Sequence, residues 1–256
     1  MIHPSAIIDP GAELAEGVSV GPFTVIGPDV QIGAGTTVGP HVVIRGPTRI
    51  GCDNRLFQFA SVGEDPQDKK YKGEVTRLEI GDRNVIREYA TIHRGTIQDR
   101  SVTRIGSDNL LMAYTHVAHD CVIGDGVIMA NGASLAGHVT VDDFAILGGF
   151  TLVHQFCRIG RYSFSGMGSV ISRDIPPYVM IGGSPTKPRG INQVGLERQG
   201  FDAEAILQVK RAFKLIYKSK LKLEEAIESL TVMAAESPEI IPMVEFLQQS
   251  DRSIIR

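Results

Sequence analysis

Residues 20–50 read VGPFTVIGPDVQIGAGTTVGPHVVIRGPTRI, and an aliphatic side chain recurs at every sixth position of this stretch. The spacing extends in both directions, through Ile2, Ile8, Leu14, Val20, Ile26, Ile32, Val38, Ile44, Ile50, Leu56 and Val62. It resumes at Ile80 and then, shifted by one residue, runs from residue 105 to residue 159. An ordinary helix or strand does not repeat at six residues, so this period indicates a repeated supersecondary unit.

Two further positions of the six-residue unit are restricted. Glycine often follows the aliphatic residue, as at Gly21, Gly27, Gly33, Gly39, Gly51 and Gly63. A small or β-branched residue often stands two positions before the aliphatic one, as at Thr24, Thr36, Ala60, Thr115, Cys121, Ala133, Val139 and Ala145. Alternating aliphatic and small side chains suit one side of a short strand, and glycine permits a tight turn. Each unit therefore predicts one short strand and one corner.

This pattern resembles that of the hexapeptide-repeat acyltransferases. The resemblance implies a left-handed parallel β-helix of hexapeptide repeats, with three of the six-residue units in each coil. We expect the β-helix over residues 1–190, with polar loop insertions near residues 64–77 and 94–103. The period stops after about residue 190. A helical spacing that follows a predicted cap at Asp202 indicates a small α-helical C-terminal domain over residues 191–256.

The composition excludes several classes of protein. A hydrophobic content of 43% and a net charge of −3 argue against a disordered chain and against nucleic-acid binding. The chain shows neither an apolar run of about 18 residues nor a secretory signal pattern, so we expect a cytoplasmic protein without stable membrane insertion. The three cysteines form no C-x-x-C pair and are expected to be reduced thiols.

The main chemical clue is a cluster of histidines on the repeat, which comprises His116, His119, His138 and His154. With three units in a coil, Gly137 lies one coil beyond His119, and His138 is stacked over Asp120. Adjacent coils are about 4.8 Å apart, so an imidazole, a carboxylate and a glycine N–H share one surface column. Acyl transfer to a hydroxyl needs such a base and such an oxyanion donor.

The sequence gives less support to other functions for these residues. Cys121 occupies a small inward slot, which disfavours a covalent cysteine mechanism. His116 and His119 stand three residues apart, whereas hexapeptide-repeat carbonic anhydrases use an H-x-x-x-x-H spacing, so we expect no metal and no cofactor. A non-catalytic hexapeptide-repeat scaffold with incidental histidines remains an alternative.

Several segments make the resemblance more specific. The stretches 67–71 (QDKKY), 91–95 (TIHRG), 115–120 (THVAHD), 135–139 (LAGHV) and 153–156 (VHQF) resemble the UDP-N-acetylglucosamine O-acyltransferases that open lipid A synthesis. The resemblance runs along essentially the whole chain, including the tail. A UDP-amino-sugar N-acyltransferase of the same fold is the close rival, and the 67–71 loop and the tail favour the O-acyltransferase.

The resemblance implies particular roles for residues of this chain. His119 would be the general base for the sugar 3-hydroxyl, Asp120 would orient it, and Gly137 would supply the oxyanion N–H. Substrate binding in a cleft between the subunits of a homotrimer would fall to Asp68, Lys70, His93, His116, His138, His154, Gln155, Asn192 and Arg198. Gln199 stands where relatives often carry a second arginine, so one phosphate contact is weaker or is supplied elsewhere.

The resemblance also implies an acyl donor carried on acyl carrier protein and a chain-measuring position at Met167. The rise from His119 to Met167 is roughly 13 Å, and an extended chain at about 1.25 Å per carbon would meet Met167 near ten carbons. We therefore predict a 3-hydroxydecanoyl donor. A run of basic residues without an acid could steer the acidic carrier, and it comprises Lys210, Arg211, Lys214, Lys218, Lys220 and Lys222.

Overall fold

A computed structural model describes residues 1–250 and 252–256 of the chain. Its short strands form three sheets that stand as the faces of a triangular prism. As far as Val170–Ile171, successive strands along the chain fall in turn on face A, face B and face C. The predicted fold class is confirmed, since the architecture is a left-handed parallel β-helix followed by a small helical part.

Apart from the last strand of face C, the strands of each face are parallel, and they stack in chain order. Face A consists of Ile7–Ile8, Val25–Ile26, Val43–Ile44, Ser61–Glu64, Thr91–His93, His116–Val117, Ser134–Leu135, Leu152–Val153 and Val170–Ile171. Face B consists of Glu13–Leu14, Val30–Ile32, Thr48–Ile50, Arg77–Ile80, Val102–Ile105, Val122–Ile123, Thr140–Val141 and Arg158–Ile159. Face C consists of Ser19–Val20, Thr37–Val38, Arg55–Leu56, Val85–Ile86, Leu110–Leu111, Ile128–Met129, Ile146–Leu147, Phe164–Ser165 and Val179–Gly182, with Lys187–Ile191 antiparallel to the last.

The pairing register gives the winding number directly. Val117 pairs with Leu135 on face A, and Val122 pairs with Thr140 on face B, so a regular coil holds three of the six-residue units. The insertions are slightly shorter than predicted, because Arg77 already pairs with Val102 on face B. They span residues 65–76 and 94–101, and both leave the edge between faces A and B, called edge A–B below.

The aliphatic repeat forms the interior of the prism. Its residues are buried from Val20 onward, and the small slots, such as Cys121 and Ala133, are also buried. Each fully buried aliphatic side chain contributes about 1.5–3 kcal/mol. The expectation fails at Ile2, which is 51% exposed, because the first coil has no further coil beneath it.

The C-terminal part is helical. Its helices are Gln193–Arg198, Ala203–Tyr217, Leu223–Ala234 and Ile241–Gln248, with a 3-10 turn at Pro238–Ile240. The carboxylate of Asp202 accepts a hydrogen bond from the N–H of Ala205 (2.8 Å), which confirms the predicted cap. Among the described residues, no helix is long and apolar enough to cross a bilayer.

Candidate active site

His119 and Asp120 stand together on edge A–B, just after the face A strand His116–Val117. The Nδ1 atom of His119 lies 2.9 Å from Oδ2 of Asp120. An ionised carboxylate is only an acceptor, so it fixes the tautomer in which Nδ1 carries the proton and Nε2 has a free lone pair. This arrangement leaves His119 as an oriented base.

Asp120 is held by the second insertion. Its carboxylate accepts hydrogen bonds from the N–H of Thr96 (2.9 and 3.0 Å) and from the Thr96 hydroxyl (2.6 Å). Burial alone would raise the pKa of Asp120, but the hydrogen bonds from His119 and Thr96 outweigh burial and hold this pKa below its usual value. Asp120 is therefore a carboxylate at neutral pH.

Gly137 lies directly above His119. The N–H of the next residue, His138, donates to the carbonyl oxygen of His119 (3.0 Å), which ties the two coils together. Among the described residues, the Gly137 N–H has no hydrogen-bond acceptor. The predicted column of base and free amide is thus present.

His138 joins the second insertion to this column. Its Nδ1 atom lies 3.0 Å from Oδ2 of Asp99 and 3.9 Å from Oδ2 of Asp120. Its ring stacks on Phe156 at 4.4 Å and meets the ring of His119 edge-on at 5.0 Å. Asp99 and Thr96 were not expected from the sequence, where they appear only as polar loop residues.

His93 and His116 form a more buried pair on face A. Their rings meet edge-on at 5.2 Å, and Nδ1 of His116 lies 2.7 Å from the hydroxyl of Thr91. Burial lowers the pKa of both imidazoles, and it brings the pKa of His93 to about 4, helped by the neighbouring His116. His93 is therefore neutral at physiological pH.

An open cleft of about 870 Å³ lies in front of His119 and His138. The first insertion lines it with Asp68 and Lys70, and Gln155 lies on the next coil. His154 is exposed beside Gln155, and Nη1 of Arg252, from the C-terminal tail, lies 3.0 Å from its Nδ1. Arg252 also donates to the carbonyl oxygen of Gln155, a contact that the sequence did not predict.

The other predicted residues lie elsewhere on the chain. Asn192 and Arg198 line an apolar cleft of about 460 Å³ against face C, which is opposite edge A–B. The Asn192 side chain is already used, since its oxygen caps a helix at Gly195 (3.1 Å) and its amide donates to the carbonyl of Tyr162 (2.9 Å). One chain therefore does not bring Arg198 to His119.

Met167 lies on the edge between faces C and A, called edge C–A below. Its side chain is 81% exposed, and it continues a column with Asn131 and Gly149, as predicted. This edge differs from that of His119, so the axial rise between the two residues is only part of the path that an acyl chain would take.

The same structure bears on the alternative chemistries. Burial raises the pKa of the Cys121 thiol to about 12, which makes this inward side chain a poor nucleophile. Within the described residues, His119, Asp120 and His138 are the one group whose ligand atoms could surround a metal ion, all within 4.8 Å of one another. Both oxygens of Asp120 are already bonded to Thr96, which competes with metal binding.

Comparisons with known proteins agree with this geometry. The family model described as UDP N-acetylglucosamine O-acyltransferase, domain 2, matches residues 174–255, and the bacterial transferase hexapeptide model matches residues 11–46 and 103–137. The chain is 58% identical to the acyl-[acyl-carrier-protein]--UDP-N-acetylglucosamine O-acyltransferase of Thiobacillus denitrificans and 59% identical to that of Alkalilimnicola ehrlichii, covering 100% of this chain and 99% of each relative.

Solved structures give the same result. The UDP-N-acetylglucosamine acyltransferase of Francisella novicida superposes with a TM-score of 0.98 at 42% identity, covering 100% of this chain and 94% of that one. The corresponding enzyme of Campylobacter jejuni superposes with a TM-score of 0.94 at 37% identity, covering 100% and 99%.

Proposed function

Since the chain belongs to the family of UDP-N-acetylglucosamine O-acyltransferases, we propose that its edge A–B catalyses direct acyl transfer to a sugar hydroxyl. The donor is a 3-hydroxyacyl group on acyl carrier protein, and the acceptor is the 3-hydroxyl of UDP-N-acetylglucosamine. This is the first step of lipid A biosynthesis. The observation that supports the mechanism is the free N–H of Gly137 directly above the oriented imidazole of His119.

The proposed reaction needs one base and one oxyanion donor. Nε2 of His119 accepts the proton of the 3-hydroxyl while the oxygen attacks the thioester carbonyl carbon. The negative charge that develops on the carbonyl oxygen is stabilised by the N–H of Gly137. When the tetrahedral intermediate collapses, the C–S bond breaks and the thiolate leaves, taking the proton from the His119 imidazolium. No covalent enzyme intermediate forms.

The substrates occupy the cleft in front of His119. Lys70 supplies positive charge for the nucleotide phosphates, and Asp68 accepts hydrogen bonds from sugar hydroxyls. His138 and Gln155 lie one and two coils from the base and contact the sugar and the thioester arm. His93, His116 and His154 complete the row of histidines along edge A–B and face A.

The complete site requires a second copy of the chain, and we propose a homotrimer. Arg198 and the apolar cleft lie on face C, so they reach His119 only when face C of one subunit meets face A of the next. Edge C–A then faces the three-fold axis. That edge carries an exposed stack of rings with centroids 4.9–5.2 Å apart, namely Phe23, His41, Phe59, Tyr89 and Tyr114. An exposed aromatic column of this length is typical of an interface.

Mixing two inactive variants tests the shared site. Subunits with His119→Ala and subunits with Arg198→Ala are reassembled together, and their mass is measured against three times the 27.7 kDa chain. If the site is shared, about one quarter of the sites in randomly assembled trimers regain both wild-type residues. The mixture should then show about one quarter of the wild-type activity. Activity no higher than that of the two separate variants would contradict it.

Acyl carrier protein is proposed to dock on the helical tail. The basic run there is solvent-facing, with Arg211, Lys214, Lys218 and Lys220 all exposed. Positive charge on this surface steers an acidic partner. We place the reaction in the cytoplasm, where thiols stay reduced, because the cysteines of the described residues, Cys52, Cys121 and Cys157, are free.

A product assay tests the function. The protein is incubated with UDP-N-acetylglucosamine and a panel of acyl carrier protein thioesters, and the nucleotide products are identified by mass spectrometry. We expect a UDP-sugar with one ester-linked 3-hydroxyacyl group. Acylation of UDP-amino sugars at nitrogen instead, or no product from any donor, would contradict the proposal.

A further inference from the structure

Arg94 is a buried cation whose side chain reaches into the first insertion. Its guanidinium donates to the carbonyl oxygen of Gly63, to the carboxylate of Asp65 and to the hydroxyl of Tyr71 (3.1 Å). The Arg94 side chain is 8% exposed, whereas that of Asp65 is 59% exposed. A buried guanidinium that binds three acceptors at fixed angles is a rigid anchor.

The residues that Arg94 binds also contact other residues of the first insertion. These contacts close the insertion on itself. The hydroxyl of Tyr71 lies 3.2 Å from Oδ1 of Asp65 and 3.1 Å from the carbonyl oxygen of Glu74. Asp65 begins the insertion, Tyr71 lies in its middle and Glu74 lies near its end. The anchored segment therefore encloses the turn that carries Asp68 and Lys70.

That turn is built on Asp68. The N–H of Lys70 donates to Oδ1 of Asp68 (2.9 Å), and the N–H of Tyr71 donates to the carbonyl oxygen of Asp68 (3.1 Å). The positions of the Asp68 and Lys70 side chains over the cleft thus follow from the position of Tyr71. Tyr71 in turn is bonded to Arg94.

Arg94 also begins the second insertion. Its own N–H donates to the carbonyl oxygen of Glu64 (3.1 Å), and the following N–H, of Gly95, donates to the carbonyl oxygen of Arg77 (3.2 Å). Two residues beyond Arg94, Thr96 binds the carboxylate of Asp120. The backbone near Arg94 therefore supports the catalytic base, while the Arg94 side chain supports the first insertion.

We infer that Arg94 is a positioning residue that fixes the 65–76 loop relative to His119, and so sets the affinity for the nucleotide sugar. This inference rests on the proposed function, because it takes Asp68 and Lys70 as contacts of the UDP-sugar. Arg94 contacts no substrate itself. It acts through Asp65 and Tyr71.

The test uses Arg94→Lys and Tyr71→Phe, each assayed at saturating acyl donor. Lysine keeps the charge but cannot bond three acceptors, and phenylalanine removes only the hydroxyl that Arg94 contacts. We expect KM for UDP-N-acetylglucosamine to rise about tenfold in each variant, with kcat and the donor KM within about twofold of wild type. Trypsin should also cleave faster at the exposed Lys69, Lys70 and Lys72.

A double variant and a control variant test whether Arg94 and Tyr71 act together. If both residues act through one anchor, the effects on KM are not additive, and the double variant resembles Arg94→Lys. Arg77→Lys alters an exposed ion pair with Glu79 in the strand that directly follows the same insertion, and it should leave KM unchanged. Should Arg94→Lys not fold, Tyr71→Phe still decides the question, because its hydroxyl lies at the periphery of the anchor.

Two outcomes overturn the inference. One is an unchanged KM and unchanged trypsin cleavage in the Tyr71→Phe protein. The other is a fall in kcat without any rise in KM for the UDP-sugar. Failure of the proposed function is distinguishable, because the wild-type protein would then form no acylated UDP-N-acetylglucosamine at all.

Discussion

A β-carbon placed on Gly137 would lie 2.6 Å from Cε1 and 2.8 Å from Nε2 of His119. Real Cβ contacts are essentially never this short, so any side chain at position 137 displaces the imidazole. The close approach brings the backbone amide of Gly137 beside the atom that takes the proton. Glycine is required here for lack of space above His119.

Gly137→Ala tests this relationship. The methyl group forces the His119 ring away from its position, and we expect kcat to fall about a hundredfold. Gly27→Ala is the matched control, because its Cβ would meet the nearest atom at 3.5 Å, an ordinary contact, on the same edge far from the site. Steady-state rates measure both, and near-wild-type turnover by Gly137→Ala would refute the packing argument.

Thr96→Val removes one hydroxyl donor from Asp120 and keeps the shape of the side chain. The carboxylate that orients His119 is then less firmly held, and we expect kcat to fall about tenfold with both KM values unchanged. Thr96→Ser retains the hydroxyl and should stay within about twofold of wild type. Equal rates in the valine and serine variants would show that the 2.6 Å hydrogen bond has no catalytic role.

His93 makes stability depend on pH. Its pKa is about 4 in the folded chain and 6.5 in a model compound, so the unfolded chain binds more protons below pH 6.5. The contribution of His93 is complete above pH 6.5 and is lost as the pH falls towards 4. Between pH 7 and pH 5 we expect a loss of about 2 kcal/mol.

The matched variant for this pH effect is His93→Leu. It should lose less stability than wild type over the same interval, although His116 still titrates in both proteins. Urea denaturation at one fixed protein concentration measures the free energy of unfolding. Parallel pH dependences for wild type and variant would contradict a buried neutral His93.

Met167 is the position predicted to limit the length of the acyl chain. The prediction is that the wild-type protein turns over a 3-hydroxydecanoyl donor faster than a fourteen-carbon donor, because a methionine at this position would block the path of a longer chain. Met167→Gly should reverse or remove this preference. Competition between the two donors, read by mass spectrometry, gives the ratio directly. A wild-type preference for fourteen carbons would show that Met167 does not limit the chain.

Much of the fold could be predicted because each six-residue unit encodes its own strand and corner. The inward slots, such as Val117 and Cys121, follow from the period alone. Once three of these units make one coil, the stacking of Gly137 over His119 follows as well. Local signals sufficed there because neighbouring coils are related by a constant sequence separation.

The parts that were missed depend on contacts without a period. Thr96, Asp99 and Arg94 lie in an insertion, where no repeat relates them to the Asp120 or Tyr71 that they contact. Their chemical types, a hydroxyl, an acid and an arginine directly after His93, were the available signals. Arg252 reaches His154 only because the tail folds back onto the prism.

The most direct test of the proposed mechanism is the rate of acyl transfer by His119→Ala. Loss of the base should lower the rate by about a hundredfold or more, while circular dichroism and mass show an unchanged fold and assembly. His3→Ala, at an exposed histidine in the first coil, should keep the wild-type rate. A folded His119→Ala protein that acylates UDP-N-acetylglucosamine as fast as wild type would contradict the mechanism.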